Sequence, residues 1–213
     1  MNRRSLDEPQ PQSLRERFRE TTAQAVLAAA EEVFADAGLH AAHMGEIATR
    51  AGVSVGTLYN HFADREALLA GLMDARFTEM LSDMDAALRS SAGRPFRDRL
   101  RTLMIAQLAY WDRHRKFVQI VLQGETGRYQ QTFPQACLKM RTKMRELHAR
   151  TEKLMIQGNK EKALRPELAD LASFFLLGMM RSLVIRDLVL GIGEGLSIEV
   201  DRLLSAFLGG VGA

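Results

Sequence analysis

Apolar residues recur at steps of three and four along almost the whole chain, the period of helices that each bury one face. Leu14, Phe18, Thr22, Val26, Ala29, Val33, Phe34 and Ala37 form a first stripe, opened by Ser13 as N-cap and closed at Gly38. Ile47, Ala48 and Ala51 make a short second face, and Leu58 and Phe62 a third. A fourth, capped by Asp64, carries Leu68, Leu72, Phe77, Met80, Met84 and Leu88 and ends in the turn 90–95. Phe96, Leu100, Leu103, Met104, Leu108 and Trp111 lie on a fifth helix, and Phe117, Ile120, Val121 and Leu122 on a short sixth. The polar stretch 124–132 is predicted as a loop, and Pro134 as the first turn of a seventh helix with Met140, Met144, Leu147, Leu154 and Met155, ending at Gly158. Pro166 is predicted to open an eighth helix, apolar on more than one face, and Ser197 to cap a ninth with Leu203, Leu204 and Phe207. The pattern predicts an all-α chain of about nine helices.

The second and third stripes are joined by Gly52-Val53-Ser54. Gly52 can take the left-handed conformation that ends a helix, Val53 is an apolar plug, and Ser54 can cap the next helix. Helix, tight turn and helix is the arrangement of a helix-turn-helix. The second helix turns only Leu58 and Phe62 inward, leaving Val55, Gly56, Thr57, Tyr59, Asn60 and His61 outside. A short helix with that outer face suits a DNA major groove.

The run Ile47-Ala48-x-x-Ala51-Gly52-Val53-Ser54-x-Gly56-Thr57-Leu58-Tyr59-x-His61-Phe62, followed by Arg65-Glu66-x-Leu68-Leu69, resembles the DNA-binding signature of the TetR/AcrR family of bacterial transcriptional regulators. The resemblance implies that Thr57, Tyr59 and His61 approach phosphates and that Val55, Gly56 and Asn60 lie near base edges, and Ser54, at the start of the same helix, is counted with them among the DNA-binding residues. Arg65 stands where the family usually has a lysine touching the DNA backbone. His43 replaces the usual Ser or Thr cap of the first motif helix, and Val55 occupies a position that is often basic; Val55 suits a thymine methyl. Residues 1–13, polar and interrupted by Pro9 and Pro11, are expected to form a mobile arm, and the resemblance further implies a three-helix helix-turn-helix domain over 14–72 and a larger helical-bundle domain for ligand binding and dimerisation over 73–213. The arm's Arg3 and Arg4 are within reach of a phosphate or the minor groove.

Charge changes this picture. The net charge is +3, yet residues 1–70 hold seven arginines and no lysine against ten acidic residues. DNA binding by this half therefore depends on where the arginines stand, not on overall charge. Cys137 is the single cysteine, which excludes an intrachain disulfide and a cysteine-rich metal site, and the five histidines do not cluster. His40 and His43 sit three apart in a short loop that itself holds no acidic or cysteine residue, so neither a metal nor a cofactor is expected. No apolar stretch approaches the roughly 20 residues that span a bilayer, and no apolar signal region opens the chain, so a cytoplasmic protein without membrane contact is expected.

If helices five to seven pack as the resemblance implies, Phe96, Met104, Trp111, Phe117, Val121, Met140, Met144 and Leu147 form an apolar, methionine-containing pocket for a small effector. The eighth and ninth helices are candidates for a two-fold dimer interface through Leu171, Phe175, Gly178, Met179, Leu203 and Phe207. The sequence thus reads as a homodimeric, ligand-responsive regulator, a repressor released from a palindromic operator when the effector tilts the long fourth helix. A dimeric interaction protein with lost or weak DNA binding is the alternative. A small enzyme using Asp112, His114 or Glu125 is a third reading, which lacks any nucleophile, base and orienter at a telling spacing.

Overall fold

A computed structural model describes residues 13–123, 127–191 and 195–212. The arm with Arg3 and Arg4, together with Glu125 and residues 192–194, lies outside the described residues. Among those described there are ten α-helices, two 3-10 turns and no strand. The chain divides into two units at Leu68/Leu69, one turn of helix before the boundary expected at residue 72.

In the first unit, α1 (Leu14–Ala37), α2 (Met44–Arg50) and α3 (Val55–His61) pack on one another, and α4 (Arg65–Ser90) begins. Ser13 caps α1 in a reciprocal box with Glu16: its hydroxyl accepts from the Glu16 amide at 3.2 Å, and the Glu16 carboxylate accepts from the Ser13 amide at 2.8 Å. Val26, Ala30, Val33 and Phe34 of α1 are fully buried with Ile47 of α2 and Leu58 of α3. The first two positions of the α1 stripe differ from the expectation, because Leu14 and Phe18 are exposed and burial starts only in the helix's second half.

In the second unit, α4 continues and is joined by α5 (Phe96–Arg113), α6 (Arg115–Gln123), α7 (Gly127–Thr132), α8 (Pro134–Lys160), α9 (Ala172–Leu190) and α10 (Val200–Val211). Helix α7 occupies part of the stretch expected to be a loop; it packs on α8, with Tyr129 stacking on Phe133 at 5.1 Å. Pro166 opens a 3-10 turn and not the helix, which starts at Ala172, and the turn around Ser197 is likewise 3-10, with α10 starting at Val200. The amides of Leu196 and Ser197 donate to the Asp112 carboxylate of α5 at 2.8–3.1 Å, so a distant side chain holds that turn. Asp187, buried on α9, is matched by Arg115 at 2.6 Å. The Phe96 ring lies against Gly158 of α8, where a Cβ would stand 2.5 Å from it; only glycine lets the start of α5 lie this close.

Candidate nucleic-acid interface and ligand cavity

The turn between α2 and α3 is built by backbone hydrogen bonds. Gly52 has φ of +70°, and the amides of Gly52 and Val53 donate to the carbonyls of Thr49 and Ala48 at 3.1 and 3.0 Å, the two bonds of a Schellman motif. Ser54 then caps α3: its hydroxyl accepts from the Thr57 amide at 3.0 Å and lies 2.8 Å from the Thr57 hydroxyl. His43 makes no side-chain cap on α2. Leu58 is 0% exposed and is the one fully buried residue of α3, so it fixes which way the helix faces. Val55, Gly56, Tyr59 and Asn60 are exposed, Tyr59 at 48%, while Thr57 and His61 are half-buried.

Arg65 makes contacts within the chain that the sequence did not indicate. Its Nη1 donates to the carbonyls of His40 and Ala42 at 2.7 and 3.1 Å, so it braces the loop that leads into α2. The carbonyls of that loop have no helix to bond to, and a guanidinium at the start of α4 satisfies two of them. Arg50 is similarly engaged, at 3.4 Å from Asp36 and 3.6 Å from Glu46.

The second unit holds a cavity of about 250 Å3. Helix α4 contributes Phe77 and Met80, α5 Gln107 and Trp111, and α6 Phe117, Val118, Val121 and Leu122. Met144, Leu147 and His148 of α8 and Phe174, Leu177, Gly178, Arg181 and Val184 of α9 complete the wall. Phe77 meets Phe117 edge-on at 5.3 Å. Of the eight residues expected to line a pocket, Trp111, Phe117, Val121, Met144 and Leu147 lie together here. The other three do not reach it. Phe96 is held against Gly158, Met104 is fully buried a turn before Gln107, and Met140 lies a turn before Met144 on the helix that α7 covers.

Two polar side chains in this wall were not singled out from the sequence. Gln107 is 1% exposed, and neither atom of its carboxamide has a hydrogen-bond partner among the described residues. The only sequence signal for it is a carboxamide inside the apolar run Leu103–Leu108. His148 stacks on Phe174 at 4.7 Å, and its buried Nδ1 also lacks a hydrogen-bond partner among the described residues. Burial pushes the His148 pKa below its ordinary value, against the opposing charge of Glu152.

Helix α9 has a second face. Leu171, Phe175, Ile185 and Val189 are exposed, at 44%, 42%, 37% and 74%, with the exposed Gly178 and Ser182 between them at the same alternating steps of three and four. Of the residues expected at a dimer interface, Leu171 and Phe175 stand on this stripe, and Gly178 stands on it while also lining the cavity. Met179 and Leu203 are half-buried. Phe207 is 1% exposed and belongs to the core of its own chain, since the inward stripe of α10 (Val200, Leu204, Phe207, Val211) is what packs the helix down; it has no surface to offer a partner. Asp112 and His114 are both in structural use, Asp112 at the 3-10 turn and His114 stacked on Tyr110 at 4.3 Å. Among the described residues no group of three or more potential ligands could hold a metal, and no helix is long and apolar enough to cross a membrane.

Comparison with known proteins bears on both units. Residues 26–72 match the family of bacterial regulatory proteins of the tetR type. The transcriptional activator FasR of Mycolicibacterium smegmatis is 42% identical over 81 residues, which is 38% of this chain and 36% of FasR. The chain thus matches little more than a third of that relative's length. Among solved structures, the fatty acid degradation regulator FadR of Bacillus halodurans has a TM-score of 0.79 at 20% identity over 89% of this chain and 95% of its own. FadR of Bacillus subtilis, solved with stearoyl-CoA, has 0.76 at 17% identity over 88% and 98%. These structures share the fold of both units, and residues 26–72 match the N-terminal segment that defines the tetR family of bacterial regulatory proteins.

Proposed function

We propose that the protein is a homodimeric DNA-binding transcriptional regulator whose hold on a palindromic operator is set by an apolar small molecule in the cavity of its second unit. The observation that carries this reading is α3 itself: one buried residue and a serine cap hold it, and the side chains left outside, Val55, Gly56, Tyr59 and Asn60, can reach a major groove. Thr57 and His61 flank that face toward the phosphates, and Arg65 acts on DNA indirectly, by holding the loop before α2. Two such helices, carried by two subunits about one turn of DNA apart, roughly 34–36 Å, read the two half-sites.

The apolar stripe of α9, with Leu171, Phe175 and Gly178 on it, is the surface a second copy would cover, with Met179 and Leu203 at its margin. Phe174, Gly178 and Arg181 line the cavity and are themselves exposed, so the cavity opens beside this stripe and a partner subunit would narrow its mouth. Helix α4 is the route from ligand to DNA: it contributes Leu68 to the first unit and Phe77 and Met80 to the cavity wall. An effector that binds one setting of α4 more tightly than another shifts the population between them, and one with equal affinity shifts nothing. The effector class is a molecule with a long apolar body, a reading that the stearoyl-CoA complex of the B. subtilis FadR supports. We assign repression as the sign of regulation, with release by the effector.

The test is retardation of DNA flanking the protein's own gene at two salt concentrations, with Tyr59→Ala beside the wild type. Site-specific binding that weakens steeply with salt and is lost in the variant, while the variant stays a folded dimer, is the expected result. A dimer that binds no DNA fragment in a genome-wide selection would instead favour an interaction protein. Transcription from the bound promoter with and without the protein checks the sign, since FasR is named an activator.

A further inference from the structure

We propose that Gln107 and His148 form an uncharged polar anchor inside the cavity, selecting an effector whose apolar body carries a neutral group that both donates and accepts hydrogen bonds, a carboxamide being the simplest. This rests on reading the cavity as the effector site.

Gln107 stands on α5 among Leu103, Met104 and Leu108, all of them fully buried. A buried carboxamide with both atoms unpaired disfavours the folded state, and a leucine or methionine in its place would not. Its Nε2 can only donate and its Oε1 can only accept. A group that is solely an acceptor, such as a carboxylate, satisfies one of the two and leaves the other unpaired. A carboxamide satisfies both in a planar, two-bond pairing. His148 adds a third site of the same uncharged kind through Nδ1, and burial works against its protonation. The charged member of the wall, Arg181, is exposed at the mouth and already has a partner, so the interior presents apolar surface and neutral hydrogen-bonding groups. A charged headgroup drawn inside would give up its hydration without an opposite charge to replace it.

Trp111 is the chain's single tryptophan and lines the same cavity, so its fluorescence reports occupancy without a label. Full-length protein is titrated with octanamide, octanoate and octane, three probes with one chain length and different heads. Wild type is expected to bind octanamide about tenfold more tightly than either of the others. Gln107→Met keeps the volume and apolar contacts but removes the pairing, and is expected to hold octane as before while octanamide falls to within about threefold of it. His148→Gln, which retains hydrogen-bonding capacity, is expected to keep most of the preference. Equal binding of octane and octanamide by the wild type overturns the anchor and leaves the effector-site reading standing, as does a preference that survives Gln107→Met. If no probe perturbs Trp111, the effector-site reading falls and the anchor falls with it. The wild-type comparison requires no variant, so poor folding of Gln107→Met does not remove the test.

Discussion

Helices α3 and α9 both present side chains to solvent, and they do so on opposite terms. α3 is seven residues long, with one fully buried side chain, a serine cap and an outer face of mixed and polar groups. α9 is nineteen residues long, buries Ala172, Leu176, Met180 and Leu183, walls a cavity with Phe174, Leu177, Gly178, Arg181 and Val184, and still exposes an apolar stripe. A helix meant for a polyanion needs little apolar area, because hydrogen bonds and charge supply its affinity. It follows that α3 depends on very few residues for its position, whereas the burden on α9 is shared among many contacts.

The sharpest way to break the comparison is to remove the single inward anchor of α3. Leu58→Ala is expected to destabilise the first unit by about 2–5 kcal/mol and to abolish DNA retention, seen as loss of helical circular dichroism on heating. Equal truncation of Leu176 on α9 should leave DNA-free dimer formation detectable, since neighbours on that face remain. If Leu58→Ala melts like the wild type, α3 is held by something other than its inward face.

Next in size is the outer stripe of α9. Phe175→Glu places a charge where an apolar partner is proposed, and a dimer dissociation constant raised at least about tenfold is expected by light scattering across a concentration series. Its melting temperature at low protein concentration should match that of the wild-type monomer. A variant that stays dimeric at all concentrations moves the interface elsewhere.

Ser54→Ala tests the cap alone. The loss of a hydroxyl acceptor at the α3 N-terminus is expected to cost about 1 kcal/mol, with a comparable loss of operator affinity and no change in dimerisation.

The smallest effect concerns pH. The folded-state pKa of His148 is lowered, so between that value and its unfolded value near 6.5 the unfolded chain binds more protons. Stability from this group therefore rises with pH through that window and is lost as pH falls below about 6.5. His148→Gln is expected to flatten the difference in melting temperature between pH 5 and pH 7.5, and an unchanged difference assigns the pH dependence to other groups.

What the chain declares by itself is what depends on neighbours within a turn or two of helix. The capping roles of Ser13, Ser54 and Asp64, the left-handed Gly52 and the inward Leu58 each follow from residues three or four positions away, and each stands in the structure as the sequence predicts. The same local reasoning misjudged Pro166, which starts a 3-10 turn, and Ser197, which lies inside another, held by the carboxylate of Asp112 far back on α5. It also had Phe207 facing a partner, when its own core holds it, and it gave no sign that Arg65 bonds two carbonyls of the loop before α2. The cavity was only partly within reach of such reasoning, which named Trp111, Phe117, Val121, Met144 and Leu147 of its wall and missed the rest. Its walls come from five helices spread from residue 77 to residue 184, and periodicity tells which face of a helix is apolar but not which apolar face it meets. Only the packing of α4, α5, α6, α8 and α9 decided that Phe96, Met104 and Met140 fill the core, that Gly178 borders the cavity, and that one glutamine is left inside it without a partner.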